Sequence, residues 1–249
     1  NTHHILPHKR SNMPINEYQQ VIAEPVPDWT GRILPERVTL EGKYCTIVPM
    51  NLEKHCPELL EAYQLDNDDS MWTYLAFGPF KNSQEFIDAW IAKQKGTTDI
   101  HYAIIDKNTD KAVGQYSLRR CDPKNGVVEV GSVLFSPLLK RTRTATEAHY
   151  LLAKYVFDTL TYRRYEWQCN SLNTPSHKAA ERLGFTFEGV HRQISVSKGR
   201  NRNTDWLSTL DHEWPTCKAA FEQWLDESNF DGYGKQLKRL QDIREGLKS

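Results

Sequence analysis

The stretch Gly126–Ala153, GVVEVGSVLFSPLLKRTRTATEAHYLLA, constrains the fold more than any other part of the chain. Its first half is an apolar, β-branched run interrupted by one carboxylate, which reads as a buried strand. Alternation along Val-Val-Glu-Val-Gly places Glu129 on the face opposite Val128 and Val130. A proline-containing loop dense in basic residues follows, with Lys140, Arg141 and Arg143. From Thr144 to Leu160 the apolar positions Ala148, Leu151, Leu152, Tyr155, Val156 and Leu160 take the 3, 4 spacing of one buried helical face. A strand that feeds a helix N-terminus through a short basic loop is an anion site, because unpaired amides and the positive end of the helix dipole point at the same place. A carboxylate beside that site suggests chemistry as well as binding.

Around this segment strand and helix patterns alternate. Val38–Pro49 reads as a hairpin about Glu41-Gly42, and Asn51–Leu65 as a helix capped by Asn51. Met71–Phe80 is aromatic-rich and irregular, and Ser83 opens a second helix that Gly96 stops. His101–Asp106, Ala112–Arg120 and Val127–Phe135 form a meander. Tyr165–Cys169 reads as a strand, Asn173–Leu183 as a helix ended by Gly184, and Phe185–Val190 as another strand. Two β-like runs, 193–198 and 205–211, flank GRNRNT, and helical stretches at about 218–227 and 235–247 lie beyond Pro215. This alternation predicts an α/β (α+β) chain with one mixed sheet and helices on its faces, its strand polarity left open. Residues 1–36, with Pro7, Pro14, Pro25, Pro27 and Pro35, read as an extended N-terminal arm.

Lys and Arg total 32 and Asp and Glu total 32, so the formal net charge is zero. A general nucleic-acid or anionic-membrane binder would carry a basic excess, so neither partner is expected. No apolar run approaches the ~18 residues of a membrane span. Cys45, Cys56, Cys121, Cys169 and Cys217 are odd in number, widely spaced and without a CxxC pair. No disulfide or metal framework is expected from them, and a reducing, cytoplasmic setting fits. The first residues, NTHHILPHKRSNMP, hold no apolar signal-peptide core, and their start on Asn rather than Met reads as a truncation.

The order VEVG…LF.P, then TEA, then N..S…AERLGF resembles the GNAT superfamily of acyl-CoA-dependent N-acyltransferases. It is most similar to the branch (acetyltransferase type 3) that contains the RimJ/RimL ribosomal-protein acetyltransferases. The resemblance spans about residues 37–215 and implies the GNAT fold there, with residues 216–249 as a C-terminal helical extension. It implies acetyl-CoA as donor, a primary amine as acceptor and no metal. Anchoring the family's Q/R-x-x-G-x-G/A loop on Thr146-Glu147-Ala148 puts Lys140 at its first position, Arg143 at its first glycine and Ala145 at its last. Lys140, Arg141, Thr142, Arg143, Thr144, Ala145 and Thr146 would then surround the pyrophosphate. Arg143 departs from the pattern, since glycine there allows close backbone approach. The resemblance also places Val133, Leu134 and Phe135 along the pantetheine arm, Asn173 on that arm, and Ser176 near the thioester sulfur. Asn173 and Ser176 read equally as a helix N-cap pair.

Acetyl transfer from a thioester needs a neutral amine, a stabilised oxyanion and a protonated leaving thiolate. Glu129 is the candidate base, directly or through a water. Glu147, in the first helical turn, reads as a partner of the dipole. Many GNAT enzymes carry a tyrosine acid four residues before the GF pair; that position here is Ala180, which leaves Ser176 to hydrogen-bond the thiolate. Acceptor contacts are expected from Trp72, Tyr74, Arg192, Asp205 and Trp206, with core packing an equal reading for the aromatics and Arg192–Asp205 pairing an alternative for the charges. Three functions remain open: acetylation of a small or amino-acid-like amine in a ternary complex, acetylation of protein α-amino groups, or acyl-CoA binding without catalysis. The expected assembly is a monomer or homodimer.

Overall fold

The computed structural model describes residues 13–248. They fall into two compact units, one ending at Gly31 and the other starting at Arg32. In the first, a bridge between Ile15 and Val21 closes a turn held by Asn16, whose Oδ1 accepts from the Tyr18 and Gln20 amides at 3.0 Å each. The start of the expected arm, before Met13, lies outside the described residues. Its last residues are anchored in the second unit: Tyr162 donates to the Ile33 carbonyl at 2.6 Å, and the Glu36 amide donates to the Tyr155 hydroxyl at 2.9 Å.

The second unit is built on one eight-stranded sheet of β1 (Leu40–Glu41), β2 (Cys45–Pro49), β3 (Ile100–Asp106), β4 (Lys111–Asp122), β5 (Val127–Phe135), β6 (Arg164–Asn170), β7 (Thr186–Ser197) and β8 (Arg200–Leu210). Their spatial order is β1-β2-β3-β4-β5-β6-β8-β7. Every neighbouring pair is antiparallel except β5 with β6, which settles the polarity the pattern left open. Among the described residues the α-helices are α1 (Leu52–Tyr63), α2 (Ser83–Gln94), α3 (Arg143–Lys154), α4 (Thr174–Leu183), α5 (Trp214–Leu225) and α6 (Leu240–Leu247). Strand alternation separates two cores. Tyr102 and Ile104 of β3 join α3 and α5 on one face, while Ala103 and Ile105 join α1 and α2 on the other.

Several elements differ from their sequence patterns for local reasons. The helix expected over 144–160 is α-helical only to Lys154, and Tyr155–Thr159 widens into a π turn closed by the Leu160 amide on the Tyr155 carbonyl at 3.0 Å. The wider turn accompanies burial of three successive side chains, Tyr155, Val156 and Phe157. The two runs around 185–198 are one bulged strand, β7, joined to β8 through Lys198-Gly199 with φ of 50° and 73°. Positive φ at both central residues suits a tight hairpin turn. The helix expected from 235 begins only at Leu240, because buried Asn229 claims the preceding backbone, donating to the Lys238 carbonyl at 3.1 Å and accepting from its amide at 3.0 Å.

Both C-terminal helices share the α3-side core. Trp214, Cys217, Phe221 and Trp224 of α5 are buried in it. Arg244 of α6 donates to the carbonyls of Arg182 and Glu181 at 2.8 and 3.0 Å, satisfying the end of α4.

Glu147 fastens α3 to the β1–β2 turn. Its carboxylate accepts from the amides of Lys43, Tyr44 and Cys45 at 2.9, 2.8 and 3.0 Å. Gly42 is required beside it, since a Cβ there would lie 2.2 Å from Glu147 Oε1. The carboxylate serves the turn's amides rather than the helix dipole. Glu147→Ala leaves three amide donors unpaired and should cost about 2–4 kcal/mol, read as a lowered urea midpoint with an unchanged m-value.

Candidate active site

β5 and β6 pair only from Val127 with Arg164 to Val130 with Trp167, although β5 continues to Phe135 and β6 to Asn170. Beyond Val130 each strand is held by its outer neighbour, β5 by β4 and β6 by β8. The separation begins at a bulge. Ser132 has a φ of 50°, and the β4–β5 register shifts between Ser117–Gly131 and Gln115–Leu134. An extra residue there bends and twists the strand. Past Val130, backbone groups on the β6-facing edge of β5 lie outside the ladder. His149 of α3 spans the gap, its ring 5.0 Å from Phe135 and 5.4 Å from Trp167. Burial, with Arg182 adding to it, pushes the His149 pKa down to about 3 and keeps the imidazole neutral.

The basic loop leads from the parted end of β5 into α3. Arg141 adopts a φ of 60°, and Thr142 caps the helix by accepting from the Ala145 amide at 3.2 Å. Other first-turn amides have no acceptor within a helix, and this is the strand-to-helix junction at which the sequence led to an anion site being expected. Arg143, at the expected glycine position, directs its side chain elsewhere. Its guanidinium donates to the Tyr44 hydroxyl at 2.8 Å and stacks 3.6 Å from the Phe230 ring centroid. Lys140 pairs with Asp66 at 3.4 Å, Arg141 is exposed, and Thr144 and Ala145 are half-buried. Thr146 is buried and accepts from Arg182 at 3.1 Å, which ties α3 to α4.

Across the gap stands α4. Asn173 caps it, accepting from the Ser176 amide at 3.3 Å, so the N-cap reading holds. The Ser176 hydroxyl accepts from Trp167 Nε1 at 3.1 Å. Ala180 is fully buried. Of the pantetheine-arm candidates, Leu134 is buried with its carbonyl engaged by Tyr63 at 3.1 Å, while Val133 and Phe135 are half-buried.

On the opposite sheet face, Glu129 lies in the final stretch of β5–β6 pairing, beside Glu166 of β6. It is 3% exposed, and its Oε2 has no hydrogen-bond partner among the described residues. Its nearest cation, Arg119, stands 4.0 Å away and also lies 3.8 Å from Asp99. Burial raises the Glu129 pKa to about 7 despite Arg119 and Arg120, with Glu166 and Asp99 raising it further. His101 on β3 completes this face, bonded to Ser117 and packed against Trp90 at a tilt with ring centroids 4.3 Å apart, its pKa pushed down to about 3 chiefly by burial.

The acceptor candidates separate. Trp72 is buried in an aromatic cluster with Tyr63, Phe77, Phe80 and Phe86, which is the packing reading. The carbonyls of Trp72 and Tyr74 accept from Lys198 at 2.8 Å and Arg202 at 3.4 Å, tying the hairpin to this segment. Arg192 is exposed, and the alternative Arg192–Asp205 pair is not formed. Asp205 instead contacts His177 at 2.7 Å on the α4 side of β8. Trp206 faces the other way, 4.6 Å from the His191 ring and 5.1 Å from Arg120. Lys93, His101, Arg119 and His149 escaped the sequence reading. Lys93 left a signal: it follows Phe86 and Trp90 at i+7 and i+3, on the buried stripe of α2.

The acetyltransferase (GNAT) domain model matches residues 46–186. A solved GCN5-related N-acetyltransferase from Brucella melitensis is 45% identical, with 88% of this chain and 100% of that chain covered and a TM-score of 0.84. A probable acetyltransferase (GNAT family) from Chromobacterium violaceum is 37% identical, with coverage of 79% and 98% and a TM-score of 0.72. The uncharacterized N-acetyltransferase p20 of Bacillus licheniformis is 33% identical over 113 residues, 45% of this chain; the match spans 63% of that relative's length. The chain belongs to the GNAT family of acetyltransferases.

Proposed function

We propose that this chain transfers the acetyl group of acetyl-CoA to a small, amino-acid-like primary amine by direct attack in a ternary complex. The observation that carries this reading is Glu129, a buried carboxyl with a pKa near 7 at the point where β5 and β6 separate. The CoA pyrophosphate would bind the first-turn amides of α3 with Lys140 and Arg141, and the pantetheine would enter the gap beside Val133–Phe135. The amine nitrogen attacks the thioester carbonyl carbon, forming the N–C bond while the C–S bond breaks. Glu129 takes the amine proton, directly or through a water. Ser176, whose oxygen already accepts from Trp167, keeps its own hydroxyl proton to donate toward the departing thiolate, which is then protonated from solvent.

Direct attack is favoured over an acyl-enzyme. Cys169 is buried beside Ser176 and its thiol pKa is pushed up to about 11 chiefly by burial, which makes it a poor nucleophile at neutral pH. A small acceptor is favoured because Lys198 and Arg202 tether the β7–β8 hairpin to the Trp72–Tyr74 segment. The unpaired cysteines are consistent with a cytoplasmic setting.

Release of free thiol from acetyl-CoA with a panel of amines and peptides tests the reading; turnover with peptides alone would overturn the small acceptor. With an active amine, kcat/KM should rise with pH through a midpoint near 7 as Glu129 loses its proton, and Glu129→Gln should lower it by about 10²–10⁴-fold. An unchanged value in the variant removes Glu129 as base.

The same group makes a stability prediction. Its folded pKa of about 7 lies above the ordinary 4.5, so the stability it contributes is fully present below pH 4.5 and is lost as pH rises through 7. Relative to wild type, Glu129→Gln should therefore gain on the order of 3 kcal/mol between the two ends of that window, measured by urea unfolding of the free protein.

A further inference from the structure

Lys93 is a cation without a matching anion. Its Nζ donates to the Ser132 hydroxyl at 2.7 Å and lies 4.4 Å over Phe77 and 5.2 Å over Trp90. Among the described residues no carboxylate lies within ion-pair distance of it; the acids of that face, Asp99 and Glu129, lie against Arg119 instead. Burial, aided by Arg119, lowers its pKa to about 8. Lys93 lines a cavity of about 220 Å³ whose other walls are Ala76, Phe77, Ala89 and Trp90. An apolar, aromatic-walled cavity with one cationic side chain in its wall fits a ligand that combines a carboxylate with an aromatic group.

The position fixes how such a ligand would be used. Ser132, which holds Lys93, is the bulged residue three positions beyond Glu129 on β5, so the ammonium is fixed beside the strand that carries the carboxyl. An α-amino acid carries its amine two bonds from its carboxylate carbon. Hydrogen bonds of ~2.9 Å at each end suit two groups held within a few residues of each other along one strand. A simple amine lacks the anion that Lys93 calls for.

We propose that Lys93 and the Ala76–Phe77–Ala89–Trp90 cavity form the acceptor's specificity subsite, which takes an aromatic α-amino acid by its carboxylate and side chain and presents its amine to Glu129. This rests on the reading of Glu129 as the base, and the following experiment separates the two. 3-Phenylpropionate, which has the carboxylate and ring but no amine, is titrated into the full chain by calorimetry, a measurement that needs no acetyl transfer. It should bind, and Lys93→Met should weaken it at least tenfold while Lys93→Arg restores most of the affinity. In acetyl transfer, L-phenylalanine should exceed phenethylamine at least 100-fold in kcat/KM, with the difference mainly in KM. The ratio should fall at least tenfold in Lys93→Met. Binding of 3-phenylpropionate without any turnover supports the subsite and refutes the enzyme reading. Turnover indifferent to the carboxylate, or no binding of 3-phenylpropionate by the wild-type chain, overturns the subsite. The wild-type comparison stands even if a variant does not fold.

Discussion

The parallel pairing of β5 with β6 lasts four residue pairs and then stops, and the rest of the site depends on that stop. A parallel ladder that ran to Phe135 would use the inner backbone groups of both strands and leave nothing for a ligand to meet. Ser132 ends it by adding a residue against β4, which bends β5 away while β8 keeps β6 in place. The opening is thus made by strand register, the stiffest element available, rather than by a mobile loop. His149, Trp167 and Phe135 fill its α3 side with rings that remain neutral.

The same stop explains the electrostatics. Glu129 lies in the last stretch of sheet before the strands separate, so it is enclosed by neighbours yet borders the gap. Full burial without a close cation shifts a carboxyl upward, and Arg119 at 4.0 Å, divided between Glu129 and Asp99, only partly opposes the shift. On the other face, the remaining polar groups brace the donor side: Glu147 holds the β1–β2 turn, Thr146 meets Arg182, and Arg244 closes the end of α4. These contacts fix the start of α3, where the proposed pyrophosphate contacts lie.

Much of this was legible in the sequence because it depends on local spacing. The strand with its lone carboxylate, the basic loop, the capped helix and the Asn173 cap all follow from periodicity and capping chemistry, and their combination carried the family resemblance. What escaped depends on contacts between distant segments. Arg143 looked like an obstruction in the loop, and only Tyr44 and Phe230, about a hundred and ninety residues apart, draw its side chain aside. Asp205 and Trp206 are adjacent, and strand alternation sends them to opposite faces, so one meets His177 and the other Arg120. Glu147 read as a helix-dipole partner because its three amide donors come from a turn about a hundred residues earlier. Lys93 drew no reading from the sequence, because its partner Ser132 lies 39 residues away at the bulge of β5.

The central claim is that separation of β5 from β6 leaves Glu129 buried and poised to exchange a proton near neutrality. Titration of carboxyl-¹³C-glutamate protein by NMR, with Glu129→Gln used to assign the resonance, measures this without substrate or turnover. The account predicts a carboxyl midpoint near 7. A midpoint near 4.5, the ordinary value for glutamate, would contradict it.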